Sequence, residues 1–180
     1  MSNQIKTYCK RLSNGNFDPD KILILFDNIR KVLDYWSSET YIGVEKEKNL
    51  KNSFQRFFTN LMSFILACKE VNNDFLNDFA EKALFQGRLY RYLGHSSHEN
   101  SNVAVEPDYN DIYVSWSKNP KNNYIETKLY GTMTLLTCEV SDDYYGIDLS
   151  VFEVVRGEEA EVVFPTIEST IVNKEIIERN

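Results

Sequence analysis

The stretch Phe85-Gln86-Gly87-Arg88-Leu89-Tyr90-Arg91-Tyr92-Leu93 separates two textures of sequence. Before Gly87, apolar residues recur at helical spacing. After it, aromatic and β-branched residues come in short runs divided by polar turns. Upstream, Asp18-Pro19-Asp20 predicts a helix start, because Asp18 can cap and Pro19 suits the first helical position. Leu25, Ile29, Val32, Leu33 and Trp36 then follow one helical face. A second helix is predicted over about residues 45–69, where Leu50, Phe54, Phe57, Phe58, Leu61, Met62 and Ile65 form a stripe that reads as a core face. Asn73 or Asp74 is expected to cap a third, short helix carrying Phe75, Phe79 and Leu84 on one side. Downstream, strands are predicted over residues 88–93, 111–116, 132–140, 146–149, 160–164 and 169–172. A long polar loop, 95–110, lies among them. The fold class read from this pattern is α+β: a helical lobe over 1–85, then a β-rich lobe over 86–180 built as a two-sheet sandwich or barrel, the two together making one compact domain.

Composition bounds the function. The chain is 42% hydrophobic and 13% aromatic, enough apolar material for a sizeable core. Its net charge of -7 is unevenly spread: residues 1–85 carry 12 basic against 11 acidic side chains, residues 86–180 only 8 against 16. So acidic a C-terminal half argues against broad nucleic-acid binding there, and any anionic ligand must be held by a few specific cations. Cys9, Cys68 and Cys138 are far apart and form no Cys-x-x-Cys pair, which suggests reduced, packed thiols in a cytoplasmic protein rather than a zinc site or disulfide framework. No secretory signal is visible, and the most apolar run, 57–68, is too short and too polar for a membrane span. His95 and His98 read as loop histidines, since two without a third ligand make a weak metal site.

Three segments carry candidate chemistry. In the first, period-two alternation puts Leu89, Arg91 and Leu93 on one strand face and Arg88 on the other. An arginine on a mostly apolar face needs a partner, either a structural one or an anionic ligand. In the second, Tyr113-Val114-Ser115-Trp116-Ser117, alternation puts two hydroxyls on one face with Tyr113, suited to hydrogen-bonding a ribose or a carboxylate, or else to ordinary solvation. In the third, Glu159-Ala160-Glu161-Val162-Val163-Phe164-Pro165, two carboxylates share a face where a turn enters an apolar strand. Paired carboxylates can take different roles when their surroundings differ, though a solvated acidic turn has the same pattern.

In this order, over about residues 86–173, the segments resemble those of the Arg–Ser–Glu mono-ADP-ribosyltransferases. Trp116 stands where that family usually has the central Thr of Ser-Thr-Ser, and alternation turns it away from Ser115. Glu159-Ala160-Glu161, the two valines and Pro165 match the third motif closely, and Gly146-Ile147-Asp148 fits the turn and strand before it. The resemblance implies an NAD-dependent transferase that needs no metal. By it, Arg91, with Arg88 as the backup, would contact the NAD phosphates; Ser115 would hold the nicotinamide ribose, with Ser117 in support; Tyr124 would pack on nicotinamide. Glu161 would bind the ribose 2′-hydroxyl and stabilise the cationic centre, and Glu159 would face the acceptor, an arginine by the family pattern. The implied partner is a target protein, with neither nucleic acid nor membrane bound directly, as for a cytoplasmic phage or toxin-like effector. Three alternatives stay open on the sequence: an NAD glycohydrolase, a non-catalytic binding or inhibitor protein on the same fold, and a helical interaction module whose β lobe is unrelated.

Overall fold

A computed structural model describes residues 1–16, 18–38, 44–95, 103–107, 109, 113–120, 131–141, 143–153 and 160–179. Its elements are helices α1 (Ser2–Ser13), α2 (Pro19–Ser38), α3 (Val44–Glu70) and α4 (Asp74–Ala83), followed by strands β1 (Leu84–Phe85), β2 (Gly87–Gly94), β3 (Tyr113–Ser117), β4 (Gly131–Val140), β5 (Gly146–Asp148), β6 (Glu161–Pro165) and β7 (Ile171–Arg179). Short 3-10 turns cover Leu149–Phe152 and Glu168–Thr170. The chain divides into two compact units: Met1–Leu84 with Leu149–Arg156, and Phe85–Asp148 with Gly157–Asn180.

The starts of α2 and α4 fall where their sequence signals indicate, but Leu84, expected on the third, short helix, begins β1 instead, and Phe75 is exposed. Asp18 accepts the Lys21 N–H at 3.4 Å, and Pro19 opens α2. Asn73 accepts the Leu76 N–H at 3.1 Å and caps α4. Ile22, Leu25, Ile29 and Leu33 of α2 are buried, as are Phe54, Phe57, Phe58, Leu61, Phe64, Ile65 and Cys68 of α3. The predicted stripes omit α1, whose Ile5, Tyr8 and Leu12 are buried at spacings of three and four. The Leu149–Phe152 turn belongs to this unit as well. Phe152 meets Phe79 edge to face at 5.6 Å, and the Arg30 Nε donates to the Phe152 carbonyl at 2.9 Å.

The β unit replaces the expected two-sheet sandwich with one hydrogen-bonded sheet of seven strands, ordered β1-β5-β6-β3-β2-β4-β7. All the pairings among β2 to β7 are antiparallel. The expectation of two sheets came from the shortness of the runs. Long β4, ten residues with six consecutive buried positions, instead pairs on both edges and ties the set together. Both faces of the sheet are buried at its centre, as the six consecutive buried residues of β4 show, Thr134 and Thr137 among them. One face gathers Leu89, Trp116, Leu136, Cys138, Val162 and Phe164; Met133, Leu135, Ile147 and Val163 are buried on the other. Gly87, with φ at +133°, makes the break between the helical and extended textures, a conformation that side chains with a Cβ rarely adopt.

Candidate functional site

The three sequence segments become neighbouring strands. β3 lies between β2 and β6, with Ser117 opposite Tyr90 on one side and opposite Glu161 on the other. Residues separated by some seventy positions in the chain thus lie on strands that span only about 10 Å across the sheet. Directly opposed residues of antiparallel strands share a face, so the register sorts the candidate side chains.

Arg91 falls on the face of Leu89, Trp116 and Leu136 (its direct partner on β4). Ser115, Ser117 and Glu161 alternate onto the opposite face, with Val163. Arg91 is half-buried, and its Nη1 donates to the main-chain carbonyl of Ser115 at 2.8 Å. Burial pushes its guanidinium below the ordinary value. Arg91 therefore touches the Ser115 backbone, and the two side chains leave the sheet in opposite directions. Arg88 shares the face of Ser115, Ser117 and Glu161. It is exposed and pairs with its cross-strand neighbour Glu139 at 3.1 Å, a contact that raises its pKa.

Ser115 is exposed in mid-strand. Ser117 is buried and closes the turn after β3, donating to the Asn119 carbonyl at 2.8 Å and accepting the Asn119 N–H at 3.0 Å. Trp116 faces the core, where its indole donates to the Phe164 carbonyl at 3.0 Å, so it does not crowd Ser115. Tyr113 has its pKa raised by burial. Glu161, half-buried, opens β6 immediately after Ala160, whose φ of +43° is left-handed. Glu159 and Tyr124 lie outside the described residues.

Two residues beside this site were not singled out by sequence reasoning. Lys118 follows Ser117, and its main-chain N–H donates to the Ala160 carbonyl at 3.2 Å. Its Nζ reaches Asp148 Oδ2 at 2.7 Å, and Asp148 is buried opposite Val162. The ion pair fastens β5 to the end of β3, and the Lys118 main-chain bond ties that end to the residue before Glu161. Asp148 within Gly146-Ile147-Asp148 offered a signal: a carboxylate in an apolar strand needs a cation. Nothing in the sequence named Lys118 as that cation.

His95 bonds Thr134 Oγ1 through Nε2 at 2.9 Å, and Thr134 also accepts the Val105 N–H at 2.7 Å, so Thr134 ties both residues to β4. His98 lies outside the described residues. Among the described residues, no group of three or more His, Cys, Asp or Glu is placed to hold a metal ion, and no helix is long and apolar enough to cross a membrane. Comparison with protein-family models, curated proteins and solved structures finds no match to this chain.

Proposed function

We propose that the chain is an NAD-dependent mono-ADP-ribosyltransferase of the Arg–Ser–Glu type, with the β unit as its NAD-binding lobe. The observation that carries this reading is the adjacency of β2, β3 and β6, which lines up Arg88, Ser115, Ser117 and Glu161 on one sheet face. In this reading Arg88, rather than Arg91, takes the NAD phosphates, exchanging its exposed Glu139 partner for them. Arg91 is a positioning residue that holds the β3 backbone. The exposed Ser115 hydroxyl holds the nicotinamide ribose. Glu161 accepts from the ribose 2′-hydroxyl and stabilises positive charge as it develops at the anomeric carbon. The bond from that carbon to nicotinamide breaks, and nicotinamide leaves neutral with the electron pair. The acceptor nitrogen forms the new bond and gives up a proton, with Glu159 as its general base. The Glu159-x-Glu161 pattern favours an arginine acceptor on a target protein, as for a toxin-like effector working in the cytoplasm of a cell, including that of a phage host.

The test uses NAD labelled on the adenylate, purified full-length protein and a cell lysate. One or a few lysate proteins should carry label. Glu161→Gln should abolish labelling with its thermal midpoint within a few degrees of the parent. Label released only as free ADP-ribose would replace the transferase with an NAD glycohydrolase. If neither product forms and NAD does not bind, the enzymatic reading fails and a binding module takes its place.

A further inference from the structure

A second site, independent of the NAD reading, lies within the helical unit. An open groove with about 320 Å³ of space is lined by α1 and α2, Thr7, Tyr8, Arg11, Lys21, Ile24 and Leu25 among its walls. Three features set it apart from an ordinary surface groove. Tyr8 is 92% buried (8% exposed), yet its hydroxyl has no hydrogen-bond partner among the described residues. A buried hydroxyl left unpaired costs stability, so its retention calls for an explanation. Next, the lining includes two cationic residues and no acidic one. Lys21 has an exposed partner in Asp18, whereas Arg11 makes no ion pair among the described residues and lies over the Tyr8 ring, 5.6 Å from its centroid. Finally, the remaining wall is partly apolar: Leu25 is buried and Ile24 is exposed.

We infer that this groove binds a small organic anion, a phosphate or carboxylate carried on an apolar body of about one ring. The volume is at the low end of the roughly 300–1,000 Å³ typical of ligand sites, which suits a body of about one ring. Arg11 is exposed and long, so it can swing from the Tyr8 ring toward the anion. Tyr8 and Arg11 both line the site, so the unpaired hydroxyl donates to an anion oxygen held by the guanidinium. Lys21 supplies the second charge, and Ile24 and Leu25 cover the apolar body.

The probes are phenyl phosphate and benzoate, titrated into isotope-labelled full-length protein while amide resonances are followed. Both anions, or the preferred one, should give saturable shifts at Thr7, Tyr8, Arg11 and Leu25. Preference for one tells phosphate from carboxylate. Arg11→Gln and Tyr8→Phe should each weaken binding about tenfold or more. Tyr8→Phe should also leave the thermal midpoint unchanged or raised, because it removes an unpaired buried oxygen; a merely structural hydroxyl would leave affinity untouched. The inference is overturned if no saturable shift appears at millimolar probe, if benzyl alcohol binds as well as the anions, or if Arg11→Gln binds like the parent.

Discussion

Arg88 and Arg91 are three positions apart and do different work. Arg91 is half-buried and donates to the Ser115 carbonyl, so Arg91→Met leaves an acceptor without its donor. The expected cost is about 1–3 kcal/mol of unfolding free energy, measured by denaturant titration. Arg88 is exposed and pairs with Glu139 at the surface, so Arg88→Met should change stability by no more than about 1 kcal/mol. On the proposed reading it should nevertheless remove NAD binding, measured by calorimetry. The reverse pattern, a silent Arg88→Met and an Arg91→Met that folds normally but loses NAD, would return the phosphate-binding role to Arg91. Burial pushes the Cys68 thiol from its ordinary 9.0 up to about 12. Below pH 9 the thiol is protonated in both folded and unfolded chains. Above it, only the unfolded chain gains by ionising, so the stability contribution is lost progressively from pH 9.0 to about 12. Cys68→Ala should flatten the fall in stability across that window, read from denaturation midpoints at successive pH values. A slope equal to the parent's would mean that another group governs alkaline unfolding.

At the scale of elements, the α3–α4 corner rests on two asparagines. Asn73 caps α4 through one bond, and Asn73→Ala should cost about 1 kcal/mol. The Asn77 amide nitrogen is shared among the carbonyls of Cys68, Lys69 and Val71 at the end of α3. Asn77→Ala should cost more than the cap, about 1–3 kcal/mol, since it strands carbonyls that are partly buried. Thermal denaturation of the two variants side by side checks the order. In the sheet, a Cβ on Gly146 would lie 2.5 Å from Val162 Cγ1. Gly146→Ala should therefore push β5 from β6 and lower stability by about 1–3 kcal/mol. The starts of α2 and α4 were legible because capping is local chemistry, written within four residues. The helix α1 escaped because its stripe is only three buried residues long and sits in a largely polar segment. β7, expected over four residues, runs for nine. Its polar residues, Asn173, Lys174 and Glu175, hide the strand from a reading based on apolar runs, and pairing along β4 extends it.

On the scale of the whole molecule, the turn over Leu149–Phe152 belongs with the helical unit although it follows β5 in the chain. Phe152 is buried and touches Phe79 there, so Phe152→Ala should raise amide exchange in α2 and α4, with a loss of about 3–5 kcal/mol from the unfolding free energy. Exchange unchanged in both helices would show that the turn does not support them. The sequence by itself determined the α+β class, the change of texture at Gly87, the helix caps and the alternation that turns Trp116 from Ser115. Each depends on residues within a turn of helix or a few strand positions. Tertiary structure alone decided that the strands form one sheet, that Leu149–Phe152 packs with the helices and that Lys118 meets Asp148. It also decided that Arg88 shares the face of Glu161 while Arg91 does not. Alternation sorts the side chains within a strand, but which faces of two strands coincide depends on register. A shift of one residue reverses every side chain, and register is set by pairing partners tens of residues away.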